Sequence, residues 1–343
     1  MRFRIAGRVA VESLRSQACE LLAQVRNGYF DVLRYRDNRT YRQISVALAQ
    51  KILDENRLRV KAGVLPPIDV LEAEVGLTQR QRELLDAQRA YQDALDLLAV
   101  LLNMPQGVAV ADEELLAGEL LVDEETAYDS ALCRRPELLQ QQRAIEKLEI
   151  ERTVNRNQLL PAVDLIARYA RKGFGEDYSD DMDSFGSDDL NDWSIGVAFS
   201  YPLGNRQARN ELLKTDLLIK GQQARLQQLR EDIRNEIRAA VRLIEVNRKK
   251  IDVANRGREL AEEKLRNLLK RKEVGLATTR DVLEGEDDLA RARTDQIASL
   301  ADYNQSITEY LRVSGLLLEN EGIRLLAEID PEADQPLLEM PAR

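Results

Sequence analysis

The chain has 343 residues, and its 60 acidic against 50 basic side chains give a net charge of −10, which argues against nucleic acid as a main partner. It has no histidine, so no mechanism needing an imidazole base or ligand applies, and its two cysteines, Cys19 and Cys133, have neither CxxC nor metal-ligand spacing. With 32% charged and only 5% aromatic residues, the composition is that of long helices with narrow apolar seams.

No window of about 18 or more apolar residues occurs, so no membrane-spanning helix is expected, and the first thirty residues hold no uninterrupted apolar stretch of the kind a signal peptide needs. From Arg8 to Lys61 apolar residues recur three and four apart, through Val11, Leu14, Ala18, Leu21, Val25, Phe30, Leu33, Ile44, Leu48 and Ile52, which predicts a helix. It stops at Gly63. Pro66 and Pro67 suit the first turn of the next helix, which runs to about Leu102. Residues 106–135 are acidic and less periodic, with Gly107 and Gly118, and form a connector with room for one short helix. Pro136-Glu137-Leu138 opens another helix, through Ile145, Leu148 and Val154, that ends near Leu160-Pro161.

The period then changes to two. Val163, Leu165, Ala167 and Tyr169 alternate with Asp164, Ile166, Arg168 and Ala170; Trp193, Ile195, Val197, Phe199 and Tyr201 alternate with Ser194, Gly196, Ala198 and Ser200. Each strand has one apolar face with aromatic ends and one small or polar face. That length, alternation and aromatic placement fit transmembrane β-strands. An ordinary hairpin packed on a helix is the alternative, although no further strand is in sight and a lone hairpin is marginal in water. The link from Gly173 to Asp192 carries eight carboxylates and no basic residue, so it belongs outside any membrane as an exposed, mobile loop. A calcium site there is conceivable, but the spacing fits no EF-hand and plain solvation is the preferred reading.

From Asn205 to Gly275 there is no proline. Leu226, Leu229, Ile233, Ile237, Val241, Ile244, Ile251, Ala254, Ala261, Leu265 and Leu268 form one seam with a mean step of about 3.5, the period of a supercoiled helix roughly 100 Å long. The surrounding charges alternate in sign, as on a solvated face. Gly275 reads as a C-cap and Thr278 as the N-cap of a returning helix, Arg280 to about Leu318, so the two form an antiparallel hairpin. This tip repeats the earlier one at a constant offset: Gly63 matches Gly275, Asp69-Val70-Leu71-Glu72 matches Asp281-Val282-Leu283-Glu284, and Tyr91 matches Tyr303. Val25-Arg26-Asn27 matches Ile233-Arg234-Asn235 with about one helical turn less. The pattern is that of a duplicated long hairpin. The expected organisation is a first repeat over 1–105, a connector over 106–135, a second repeat with the β-hairpin over 136–320, and a tail over 321–343.

Two hairpins with glycine tips six residues before an Asp-Val-Leu-acid run, a Pro-Glu-Leu helix opening, and Leu-Pro-x-Val and Trp-x-Ile-Gly-Val-x-x-Ser-Tyr-Pro-Leu flanking the strands together resemble the outer membrane efflux protein family of TolC-like channels. The resemblance runs from about residue 8 to 319. It implies a mainly α protomer of an α-barrel, built from long antiparallel helical hairpins in two repeats, with a transmembrane β-hairpin. It further implies a homotrimer in which each protomer gives four strands to one twelve-stranded barrel in the outer membrane, with the helices in the periplasm. Such a trimer is a passive exit duct, joined through a periplasmic adaptor to an inner-membrane pump or a type I secretion exporter. No cofactor is implied.

Aligned on Val25 and Ile233, Met1 falls just after the point where the second copy leaves its strand, so the expectation is that a first strand pair and an export signal precede this sequence in a longer precursor. Two strands from each of three protomers fall short of the eight of the smallest outer-membrane barrels.

Carried over by position, the adaptor-contacting tips are Gly63, Val64, Leu65 and Gly275, Leu276, Ala277. The pore constriction is Asp281 and Glu284, with Asp69 on the paired hairpin. The membrane-facing residues are Val163, Leu165, Tyr169, Trp193, Ile195, Val197, Phe199 and Tyr201. Asp281 and Glu284 lie three apart on one helix face, so three copies around an axis would gather six carboxylates and favour cations. Acids in a first turn also cap the helix, and both roles are compatible. In some members of the family a basic residue stands two after the tip glycine; here that position is Ala277, with Arg271, Lys272 and Arg280 nearby. A soluble or peripheral coiled-coil scaffold shares the seams but gives no reason for the Trp193 to Tyr201 strand. An adaptor would show one hairpin flanked by glycine-rich strands, whereas two hairpins are present here. A carboxylate-based enzyme lacks any expected concave pocket.

Overall fold

The computed structural model describes residues 2–111, 113–118, 120, 122–171, 191–201, 203–325 and 338–339. Its elements in chain order are α1 (Arg2–Lys61), α2 (Ile68–Leu101), α3 (Glu124–Arg134), α4 (Pro136–Asn157), β1 (Ala162–Arg171), β2 (Asn191–Ser200), α5 (Arg206–Glu273), α6 (Thr279–Val313) and α7 (Leu317–Asn320), followed by a two-residue ladder of β3 (Arg324–Leu325) and β4 (Leu338–Glu339). Most of the acidic link, 172–190, lies outside the described residues.

Two helix boundaries differ from those the sequence pattern predicts. The first helix begins at Arg2 rather than Arg8, and the returning helix ends at Val313 rather than near Leu318. The second has a local cause: Gly315 adopts φ +73° and donates to Arg312 O at 3.1 Å, while the Leu316 N–H reaches back to Leu311 O at 2.9 Å. That left-handed closure ends α6, and α7 is a separate turn.

By internal contacts the chain divides into two compact units. One comprises Met1–Val9 with Gln140–Gln228, the other Ala10–Leu139 with Leu229–Arg343. In the first, α4 packs along the early part of α5: the Asn155 amide donates to Thr215 Oγ1 at 2.9 Å, Gln141 donates to the Gln222 side chain at 2.8 Å, and Arg152 pairs with Asp216 at 2.6 Å. The β-hairpin belongs to this unit. Its strands are antiparallel in the register Val163↔Phe199, Leu165↔Val197, Ala167↔Ile195 and Tyr169↔Trp193.

In the second unit four long helices share one apolar seam. On α5, Ile233, Ile237, Ile244, Ile251 and Leu265 are buried, as the 3.5-residue period requires. Each such aliphatic side chain contributes about 1.5–3 kcal/mol by leaving water. Near the tips Ala49, Ile52 and Leu53 of α1 meet Ala73 and Leu77 of α2, Leu265 of α5, and Val282 and Leu289 of α6 in one cluster. Farther along, α6 is hydrogen-bonded on one side to α1, through Gln305 to Asp31 at 2.9 Å, and on the other to α5, through Gln296 to Asn255 at 2.7 Å. The connector is tied down by side chains reaching its backbone. Arg36 donates to Ala111 O at 3.1 Å, Tyr303 to Gly118 O at 3.0 Å and Asn304 to Leu116 O at 2.8 Å.

Candidate functional site

Two turns reverse the chain in the second unit, and they are built alike. After α1, Gly63 takes φ +74°, its N–H donates to Val60 O at 3.0 Å, and the Val64 N–H donates to Arg59 O at 2.9 Å. After α5, Gly275 takes φ +76°, its N–H donates to Lys272 O at 3.1 Å, and the Leu276 N–H donates to Arg271 O at 2.8 Å. A positive φ is what glycine supplies at a helix end without a Cβ penalty. The residue after each glycine is apolar and solvent-facing: Val64 and Leu276 are each 68% exposed. Leu65 and Ala277 are half-buried.

The acidic turn at the start of α6 is held locally. Thr278 Oγ1 accepts the Asp281 N–H at 3.1 Å and the Thr278 N–H donates to Asp281 Oδ2 at 2.8 Å, a reciprocal cap. The backbone and hydroxyl bonds from Thr278 hold the Asp281 carboxyl below its ordinary range. Glu284 pairs with Arg280 one turn back at 3.2 Å, and both stay largely exposed. Asp69 begins α2, half-buried, and its carbonyl accepts the Asn56 side-chain amide at 3.0 Å.

Of the three basic residues near the second tip, Arg271 donates to Leu276 O at 3.3 Å and so braces the turn, and Arg280 is engaged with Glu284. Lys272 is different. Only 7% exposed, it has no hydrogen-bond partner for Nζ among the described residues, and burial pushes its ammonium below the ordinary lysine range against the opposing pull of Glu55.

A cluster that sequence reasoning missed lies farther along α6. Arg80 of α2 and Glu286 of α6 pair with side chains only 3% exposed. The same guanidinium donates to Gly76 O at 3.1 Å, Leu283 O at 3.1 Å and Asp287 Oδ1 at 2.8 Å, while Ser45 of α1 donates to the other oxygen of Glu286. Burial pushes the Glu286 carboxyl above the ordinary range, partly offset by the Ser45 hydrogen bond and the Arg80 charge. The available signal was positional: Arg80 follows Ala73 and Leu77 at seam spacing, so a charge sits where the period calls for an apolar residue.

The β-hairpin presents the remaining predicted residues. Val163, Leu165, Tyr169, Trp193, Ile195, Val197 and Phe199 share one face by the strand alternation, and all are mostly exposed. Tyr201 lies just beyond β2 and is also exposed. On the other face Arg168 stands opposite Ser194, Ile166 opposite Gly196 and Asp164 opposite Ala198. Water does not favour so continuous an apolar face.

The family described as outer membrane efflux protein matches residues 6–104 and 127–313. The chain belongs to the outer membrane efflux protein family. The outer membrane efflux protein BepC of Brucella suis biovar 1 (strain 1330) is 23% identical over 330 residues, which cover 94% of this chain and 69% of that relative. Among solved structures, the CmeC outer membrane channel of Campylobacter jejuni aligns with a TM-score of 0.76 at 16% identity, over 92% of this chain and 66% of that one. The outer-membrane channel OprN aligns with a TM-score of 0.77 at 19% identity, over 90% of this chain and 68% of that one. The chain therefore spans about two thirds of the length of the relatives it matches. As a member of the outer membrane efflux protein family it is a TolC-like protein of the outer membrane with the α-barrel protomer fold, and the relatives it resembles are channels rather than enzymes.

Proposed function

We propose that the chain works as a homotrimer whose tunnel is a passive exit duct, coupled through a periplasmic adaptor to an inner-membrane pump or a type I secretion exporter. The observation that carries this reading is the apolar face of β1 and β2, exposed along its whole length and of the right dimensions for lipid. A coiled-coil scaffold has no use for it.

Assembly from copies is supported by the two outer helix stripes of the second unit. On α5, Leu243, Val246, Val253 and Leu260 recur at heptad spacing on the solvent side, and on α2 Ile68, Leu71, Val75 and Leu85 do the same. Both edges carry exposed charges of both signs, among them Glu245, Lys249, Lys250 and Asp252 on α5 and Arg82, Asp86 and Arg89 on α2. Two unlike edges that are both apolar suit a head-to-tail contact that closes into a ring. We read the chain as two repeats, 1–105 and 136–320, joined by 106–135 and followed by the tail 321–343.

In this duct the tips Gly63, Val64, Leu65 and Gly275, Leu276, Ala277 meet the adaptor, for which the exposed Val64 and Leu276 are the anchors. Asp281 and Glu284, with Asp69, line the constriction and favour cations. The test is single-channel recording, in planar bilayers, of the trimer extracted already assembled from outer membranes. Cation-selective currents are expected, and Asp281→Ala with Glu284→Ala raises conductance or lowers cation selectivity. Unchanged currents would remove these carboxylates from the constriction.

A further inference from the structure

We propose that Arg80 is a positioning residue: by fastening the start of α6 to α2 it sets where Asp281 and Glu284 stand, and so how far the passage is held closed. This rests on the reading of those carboxylates as the constriction.

One buried guanidinium makes the connection. Three of its four acceptors, Leu283 O, Glu286 and Asp287, lie on the turn of α6 next to Asp281 and Glu284, and the fourth is Gly76 O on its own helix. Ser45 adds α1 to the same carboxylate. Two glycines remove the slack here. A Cβ on Gly76 would lie 2.9 Å from Leu283 Cδ1, and one on Gly285 would lie 2.6 Å from Leu268 Cδ1, so each glycine makes room for a leucine of the neighbouring helix. Toward the tips the buried Asn56 Oδ1 and Lys272 Nζ have no hydrogen-bond partners among the described residues.

A buried ion pair is a poor device for stability, since well-packed apolar side chains of similar size usually hold helices as firmly or more so. Its distinctive property is direction. A planar fork satisfies these acceptors in only one axial register and one rotation of α6. Apolar packing at the same level would tolerate sliding and rotation.

The test uses the full chain with Arg80→Met and Glu286→Met combined, which removes both charges and leaves neither stranded. Cys19 and Cys133 are replaced by Ser so that spin labels at Val64→Cys and Leu276→Cys report the distance between tips. The expected result is an unfolding midpoint equal to or above that of the parent, a broadened tip-to-tip distance, and a resting conductance raised about fivefold or more, the low end of typical coupling between sites. Arg80→Lys, which keeps the charge but not the fork, gives the same broadening. A stable double variant with unchanged distances, or with changed distances and unchanged current, overturns the proposal. So does a double variant that unfolds, because the pair would then be a stabilising element. If Asp281→Ala with Glu284→Ala leaves the current unchanged, the constriction reading fails, while the distances still decide whether Arg80 positions α6.

Discussion

Leu165 and Val197 face each other across β1 and β2, and both side chains remain exposed, at 74% and 70%. In a protein that buries Ile233 and Ile237 completely, such a pair supports the proposed lipid-facing surface. Adjacent residues of one strand then predict opposite outcomes. Val197→Lys, on the apolar face, costs about 2–4 kcal/mol if it lies at the bilayer midplane, whereas Ala198→Lys, on the other face, costs little. Folding into lipid vesicles across a urea series measures both.

The tip glycines predict a contrast of sign. Gly275→Ala forces a Cβ into φ +76° and costs about 1 kcal/mol although nothing lies within 4 Å of the added atom. Gly221→Ala, in the interior of α5 and equally uncrowded, gains roughly 0.5–1 kcal/mol by helix propensity. Hydrogen exchange of the amides around each site reads the two effects separately.

Those tips were legible in the sequence because their cause is local. A glycine after a periodic run, then Thr278 three residues before Asp281, specifies a turn and a cap from backbone geometry alone, and both are present. The strands were legible from alternation for the same reason. The end of α6 was misplaced because Leu316, Leu317 and Leu318 continue the apolar pattern past Gly315, whose φ only the fold reveals. Arg80 stands at seam spacing after Leu77, but its pairing with Glu286 was not legible, because charged residues crowd every helix here and which of them meet depends on how four helices come together.

Asn56 predicts a buried polar cost. It is fully buried and donates to Asp69 O and to Thr279 Oγ1 at 2.9 Å, joining α1 to the starts of α2 and α6. Asn56→Ala removes both hydrogen bonds from a buried site and costs about 1–3 kcal/mol. An unchanged denaturation midpoint would exclude this role.

The cap on α6 predicts a titration. Because hydrogen bonding lowers the Asp281 carboxyl below its ordinary value of 3.8, its contribution is complete above that value and is lost only as pH falls through the lower folded-state value. The carbon-13 shift of the labelled carboxyl therefore titrates below 3.8. Thr278→Ala, which removes the hydroxyl bond and keeps the backbone one, moves the titration part of the way up.

Single cysteines placed in turn along residues 193–199 test most directly whether the hairpin lies in the outer membrane. With a fluorophore at each position and brominated lipids as quenchers, quenching alternates with period two, strong at positions 193, 195, 197 and 199 and weak at 194, 196 and 198. Uniform quenching, or none at position 197, would contradict it.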